Sequence, residues 1–131
     1  MRKIITFGTF DVLHIGHIRI LNRAREHGDH LTEGISSDEL NFSKKGRYPI
    51  YDFDSRMEMV ASLRCVDNVF KEESLEDKRE YIIQHNADAL VMGNDWESKF
   101  DEFRDICEVI YLSRTPSIST TEIIEVIKEQ P

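Results

Sequence analysis

Short apolar runs alternate with helix-like stretches along this chain, and that alternation constrains its fold more than any other feature. Residues 3–7, 30–35, 68–70, 89–92 and 108–112 read as strands. Residues 17–27, 55–63, 75–85 and 121–128 read as helices, with a further short one at 100–106. Strands that alternate with helices pair in parallel, because each crossover helix returns the chain to the same end of the sheet. The expected fold is α/β: one Rossmann-like domain over residues 1–131, a doubly wound parallel sheet of about five strands with helices on both faces. Such sheets bind ligands at the carboxyl ends of their strands, beside the point where strand order reverses.

Local signals refine the boundaries. Ser55-Arg56-Met57-Glu58 and Ser119-Thr120-Thr121-Glu122 fit the S/T-x-x-E capping box, and Ser74-Leu75-Glu76-Asp77 fits it more loosely. Gly28 is a plausible stop for the first helix. Residues 41–54, with Gly46 and Pro49, read as a long loop of the kind that forms lids or binding loops. One strand is awkward. Leu31-Thr32-Glu33-Gly34-Ile35 carries a carboxylate and a glycine where a buried parallel strand is normally apolar. Either its alternate face is wet or Glu33 has a buried partner.

The first strand runs directly into Gly8-Thr9-Phe10-Asp11-Val12-Leu13-His14-Ile15-Gly16-His17, and a helical pattern follows at Ile18, Ile20, Leu21 and Ala24. His14 and His17 therefore stand at the start of a helix, at the ligand-binding edge. Free amides at a helix start favour an anion. Two imidazoles there can donate to phosphate oxygens, more strongly as negative charge builds. Gly16 lets backbone approach a triphosphate closely. A metal pair would need further ligands, and neither cysteine is near in sequence. A core histidine beside an exposed one is the plain alternative.

Composition sharpens this. A chain of 131 residues with 40% hydrophobic and 9% aromatic content can bury one core. A net charge of −8 argues against nucleic-acid binding, so a polyanionic ligand must be drawn in by a local positive site. No apolar stretch approaches the roughly 20 residues that span a bilayer, which excludes membrane insertion by a helix. No signal-peptide pattern opens the chain, so a cytoplasmic setting is expected. Cys65 and Cys107 lack CxxC spacing and read as reduced residues in or near the core.

Other segments fall at the same edge. Arg114-Thr115-Pro116-Ser117-Ile118-Ser119-Thr120-Thr121 joins the last strand to the last helix. It offers hydroxyls, free amides and an arginine fork to a triphosphate, or simple capping by Ser119. Asp11 either orients a substrate or caps its own turn. Lys44, Lys45 and Arg47 either reach over phosphates or form a solvated face. Arg56 and Arg64, near one face of a helix, either hold an anion or pair with Glu58 and Asp67. Gly93-Asn94-Asp95-Trp96 follows the fourth strand; Asp95 could touch a base or ribose edge, and Trp96 could be a wall or plain packing.

Together these motifs resemble the glycerol-3-phosphate cytidylyltransferases within the HxGH nucleotidyltransferase superfamily. The likeness covers residue 3 to about residue 128 and rests on Gly8-Thr9-Phe10-Asp11 with His14-Ile15-Gly16-His17, on Val91-Met92-Gly93-Asn94-Asp95-Trp96-Glu97, and on Arg114-Thr115 with Ile118-Ser119-Thr120-Thr121. The resemblance implies that CTP and sn-glycerol 3-phosphate give CDP-glycerol and pyrophosphate, with Mg2+ carried by the nucleotide, a homodimer, and a product feeding teichoic acid or capsule synthesis. It implies catalytic roles for His14, His17, Lys44 and Arg114. It assigns Gly8, Thr9, Phe10, Gly16, Arg64, Asp95, Arg114, Thr115, Ser119 and Thr120 to the nucleotide, and Thr9, Asp11, Lys44 and Arg56 to the acceptor. The chain departs from the family pattern at Gly46, Leu75, Asn94 and Ser117, where a lysine, an aromatic residue, an aspartate and a glycine are usual. Phosphocholine or phosphoethanolamine as acceptor, ATP as nucleotide, and a non-catalytic nucleotide-binding regulator are the alternatives.

Overall fold

The computed structural model describes residues 1–114 and 119–130. Five strands, β1 (Lys3–Gly8), β2 (His30–Ser36), β3 (Asn68–Glu72), β4 (Ala89–Gly93) and β5 (Glu108–Leu112), form one sheet in the order β3-β2-β1-β4-β5. Every pairing is parallel. Helices α1 (Ile15–Arg25), α2 (Asp38–Lys45), α3 (Phe53–Ala61), α4 (Lys78–Gln84) and α5 (Thr120–Glu129) and two short 3-10 turns complete the described elements. Strand order reverses between β1 and β4, which places Gly8 and Gly93 on either side of the crevice where such sheets bind ligands.

Strand alternation builds two cores. Ile4, Leu31, Ile35, Val91 and Leu112 face one side and pack with Leu21 and Ala24 of α1 and Val60 of α3. Ile5, Phe7, Leu90, Met92 and Val109 face the other and pack with Ile82 of α4 and Phe103 of a 3-10 turn. Both faces are covered, as the near-continuous apolar strands require. All five strands stand where the sequence places them. Cys65 and Cys107 are half-buried and unpaired, and burial pushes both thiols up, away from thiolate chemistry.

The helices need four corrections. The expected loop 41–54 begins as the last half of α2. Ser37 caps that helix, Asp38 and Glu39 occupy its first turn, Lys44 and Lys45 its last, and Gly46 closes it at φ 72°. Helix α3 is capped by Asp52, whose side chain accepts from the Ser55 amide at 2.9 Å, so Ser55 lies inside the helix. Helix α4 starts at Lys78, and Ser74 caps only the turn before it through the Glu76 amide. Gly28 lies beyond the first helix's cap, Glu26, where a Cβ would meet the Arg2 carbonyl at 2.7 Å. Ser119 does cap α5, accepting from the Glu122 amide at 3.1 Å.

The awkward second strand has a partner for its carboxylate. Glu33 is fully buried and hydrogen-bonded to Thr6, its register neighbour on β1. Its Oε1 has no partner among the described residues. Gly34 leaves room for the edge-on Phe7–Phe70 contact; a Cβ there would lie 2.7 Å from both rings. Burial pushes the Glu33 carboxyl up to about 8 from an ordinary value of 4.5, against the pull of the Thr6 bond. A folded-state pKa raised above the unfolded one means the folded chain holds more protons between those values. Stability is therefore fully present below about pH 4.5 and is lost as pH rises toward 8. Glu33→Gln removes that loss: urea midpoints of variant and wild type separate from pH 5 to about pH 8 and level off above it, with the variant the more stable at pH 9.

Candidate active site

The turn between β1 and α1 is backbone-strained and tied down at several points. Phe10 and Val12 adopt φ of 55° and 48°, which costs energy for a bulky or β-branched residue. Asp11 between them holds the geometry. Its Oδ2 accepts from the Ile50 amide at 2.7 Å, and its Oδ1 accepts from Tyr51 at 3.0 Å and Val12 at 3.1 Å. The Thr120 hydroxyl donates to the Asp11 carbonyl at 3.0 Å, tying α5 to the same turn. Of the two readings open for Asp11, the geometry places its carboxylate on backbone amides.

Arg56 lies beneath this turn, completely buried. Its guanidinium donates to the Tyr51 carbonyl at 3.0 Å, the Thr9 carbonyl at 2.9 Å and Asp38 Oδ1 at 2.7 Å. It lines neither of the cavities described below, so the expected contact with an acceptor gives way to a clamp that joins β1, α2 and α3. Arg64 is exposed beyond the end of α3 and lines neither cavity. The helical face it was expected to share with Arg56 ends at Ala61. Neither arginine pairs as the sequence suggested: Asp38 holds Arg56, and Asp67 holds Arg25.

The two histidines cap α1 reciprocally. The Gly16 amide donates to His14 Nδ1 at 3.0 Å, and the His14 amide donates to His17 Nδ1 at 3.1 Å. The rings stack at 3.8 Å between centroids, and Phe10 meets His17 edge-on at 5.4 Å. An Nδ1 that accepts an amide proton carries none itself, so in each neutral ring the proton sits on Nε2. Burial lowers both pKa values. His17 falls to about 4, with His14 adding to the shift and Asp11 opposing it. Near pH 7 the site therefore offers two neutral Nε2–H donors whose tautomer is set by backbone.

A cavity of about 430 Å³ opens at this edge. Gly8, Thr9, Phe10, Asp11, His17, Asp95 and Thr120 line it, along with Trp96. A second cavity of about 410 Å³ adjoins it, sharing Gly8, Thr9, Lys45 and Trp96. Its wall carries Lys44, Lys78, Lys99 and Glu72. Thr9 stands where the two meet and donates to Asn41 Oδ1 at 2.8 Å. Lys44 rides on the last turn of α2 rather than on a loop. Surrounding protein lowers its pKa, Glu72 opposes that shift, and Lys45, Lys78 and Arg56 add to it. His14 reaches the first cavity only through its stacked partner. Gly16 lies behind it in the cap of α1, and Arg114 and Ser119 are exposed around the 115–118 segment. Thr115 lies outside the described residues, as do Ser117 and Ile118.

Sequence reasoning passed over Lys78 and Glu72. Lys78 opens α4, where the helix dipole disfavours a cation. That misplacement was the available signal. Its ammonium is nearly buried, 2.8 Å from Glu72 Oε2 and 3.9 Å from the centre of the Phe7 ring.

A parallel sheet in this order, with imidazole donors at the switch point and a basic cavity beside it, defines an α/β domain of the nucleotide-binding class. The cytidylyltransferase-like family model matches residues 5–126, and the chain belongs to that family. It is 49% identical over 127 residues to the glycerol-3-phosphate cytidylyltransferase of Bacillus subtilis strain 168, covering 97% of this chain and 98% of that protein. It is 47% identical over 123 residues to the Staphylococcus aureus protein of the same name, covering 94% and 92%. Among solved structures, a lipopolysaccharide core biosynthesis protein from Thermoplasma volcanium superposes with a TM-score of 0.76 at 26% identity, covering 88% of this chain and 99% of that one.

The different placement of the two arginines has a direct test. Arg56→Ala strips a buried ion pair and two carbonyl contacts, so it lowers the unfolding free energy by about 3–5 kcal/mol. Arg64→Ala changes it by no more than about 0.5 kcal/mol. Urea denaturation of both variants reads the difference, and equal midpoints would contradict the clamp.

Proposed function

We propose that this chain is an enzyme that transfers the cytidylyl group of CTP to sn-glycerol 3-phosphate, giving CDP-glycerol and pyrophosphate. The observation that carries the reading is the pairing of cavities. One lies under the histidine cap and suits a nucleoside triphosphate. Its neighbour is lined by lysines and suits a second anion. The relatives named above, matched over nearly their whole length, support the same acceptor.

The chemistry follows from the ligands' charges. The acceptor phosphate is already ionised at neutral pH, so no general base has to create the nucleophile. One of its oxygens attacks the α-phosphorus in line. The bond to the bridging oxygen breaks, and pyrophosphate leaves with the electron pair. What the protein supplies is alignment and charge stabilisation. The Nε2–H groups of His14 and His17 donate to phosphate oxygens as negative charge accumulates. Lys44, on the wall of the second cavity next to Lys45, which lines both, bridges the phosphates of both substrates. Arg114, Ser119 and the amides at the start of α5 hold the β- and γ-phosphates, and Asp95 reads the cytosine edge.

Magnesium fits this site as an ion brought in by the triphosphate. Such ions are held through one or two carboxylates plus substrate phosphates. Of the two carboxylates on the first cavity's wall, Asp11 is taken up by three backbone amides, so Asp95 would be the one to hold such an ion. The described residues contain no group of three or more His, Cys, Asp or Glu that could hold a metal by themselves. When bound, the ion would neutralise phosphate charge. A homodimer, a cytoplasmic setting and a product used for teichoic acid or capsule polymer complete the reading, and sedimentation of the purified chain tests the first of these. No helix among the described residues is long and apolar enough to cross a membrane.

A cationic acceptor such as phosphocholine is disfavoured, since its head group would want aromatic faces and free carboxylates. The second cavity has aromatic faces and two carboxylates, Glu72 and Glu102, but its four lysines, Lys44, Lys45, Lys78 and Lys99, outnumber those carboxylates and oppose a cation. Pyrophosphate release from CTP or ATP with glycerol 3-phosphate, phosphocholine and phosphoethanolamine tests the assignment. Glycerol 3-phosphate with CTP gives the highest kcat/KM, and CTP binding with no release from any acceptor would leave a regulator. His17→Ala lowers kcat by about 10²-fold, the scale of losing a donor aimed at developing charge. Lys44→Ala lowers kcat/KM for the acceptor; an unchanged value would make Lys44 plain surface.

A further inference from the structure

The second cavity contains a carboxylate that phosphate binding does not need. Glu72 ends β3 and is 2% exposed. Its backbone carbonyl accepts from the Ser37 amide at 2.8 Å, which fixes the end of the strand. Its Oε2 accepts from Lys78 Nζ at 2.8 Å, and Lys78 is held in turn against the Phe7 ring. The Glu72 side chain is thus locked in place. Its Oε1 accepts no hydrogen bond among the described residues, while the residue forms part of the cavity wall. The cavity's other carboxylate, Glu102, is exposed to solvent.

A fixed anion with an unused oxygen is a liability in a pocket for phosphate, because like charges repel. It is an asset if the ligand also carries hydroxyl groups. Hydrogen bonds from hydroxyls to a carboxylate are among the stronger ones, and leaving such an acceptor unpaired when a ligand seals the cavity is costly. The lysines of the cavity can hold any phosphate ester. Only an ester with hydroxyls can also satisfy Glu72.

We propose that Glu72 is a specificity-determining residue whose unpaired carboxylate oxygen accepts hydrogen bonds from the hydroxyls of the acceptor, separating polyol phosphates from plain alkyl phosphates. The assignment rests on the acceptor site proposed above. It places the acceptor's phosphate toward Thr9 and Lys45, which line both cavities, with Lys44 beside them on the wall of the second, and its hydroxyl end toward β3. Lys78 is then a positioning residue that orients the carboxylate.

The test compares sn-glycerol 3-phosphate with propyl phosphate, which has the same carbon count and no hydroxyl, by pyrophosphate release at saturating CTP. In the wild type, kcat/KM favours glycerol 3-phosphate by at least about tenfold. In Glu72→Gln that ratio falls about tenfold or more, chiefly through KM for glycerol 3-phosphate, because the amide turned to the cavity is neutral and a donor. A ratio that survives the substitution, or both acceptors weakening in proportion, overturns the proposal and makes Glu72 structural. Should Glu72→Gln fail to fold, Glu72→Asp keeps the charge, draws it back from the cavity and lowers the same ratio. A wild type that uses both esters equally well refutes the role of Glu72 alone. A wild type inactive with glycerol 3-phosphate but active with another phosphate ester refutes the acceptor assignment itself.

Discussion

Two backbone amides at the start of α1, each donating to an imidazole Nδ1, determine what this site can offer a ligand. An imidazole held at Nδ1 presents Nε2–H, and it keeps that tautomer for as long as the cap survives. The cap survives because burial keeps His17 neutral: protonation at Nδ1 would turn the acceptor into a donor and face it against an amide. Secondary structure and site chemistry are therefore one arrangement. The same bonds that start the helix aim the donors. The strain at Phe10 and Val12 belongs to it as well, since the turn must bring His17 to the cavity wall while Phe10 stays in the core.

The fold was legible because its determinants are local. Five apolar runs gave five strands, and parallel pairing followed from the helices between them. Helix α2 was obscured for a physical reason. It has eight residues, and of its side chains only Leu40 and Asn41 are buried, so it has almost no periodic apolar stripe. Its caps, Ser37 and Gly46, were visible but stood beside no apolar pattern that would have made them count. The histidine cap was legible because its spacing and position after β1 are properties of the chain alone. The function of Arg56 was not, because the carbonyls of Thr9 and Tyr51 and the carboxylate of Asp38 meet it only in three dimensions. The Glu72–Lys78 pair was hidden in the same way, although a lysine at a helix start was a clue that it required a partner.

Charge is the remaining constraint. A chain with net charge −8 has to accept two polyanions at one sheet edge. The structure manages this by pairing several of the acidic groups at that edge rather than by excluding them. Asp11 is covered by three amides, Asp38 by Arg56 and the Phe53 amide, and Glu72 by Lys78. Each of these carboxylates does structural service, and Glu72 alone among them keeps an oxygen unused. Lys44 and Lys45 at the end of α2 then act with less opposition than the overall charge suggests. They sit at the negative end of that helix's dipole, which holds cations there until a stronger anion arrives.

Neutral histidines suit this arrangement better than charged ones. Two imidazolium rings stacked at 3.8 Å would repel each other before any ligand entered, and burying them would cost desolvation as well. As neutral donors they cost little in the empty site and strengthen as negative charge develops beside them, because a hydrogen bond to an anion is roughly twice as strong as one between neutral groups. The response is therefore graded toward the most charged point of the reaction, which is the condition for lowering a barrier rather than only tightening the ground state. Lysines for attraction and neutral imidazoles for the transition state are separate tasks. The fold keeps them apart by placing the lysines on α2 and α4 and the imidazoles on α1.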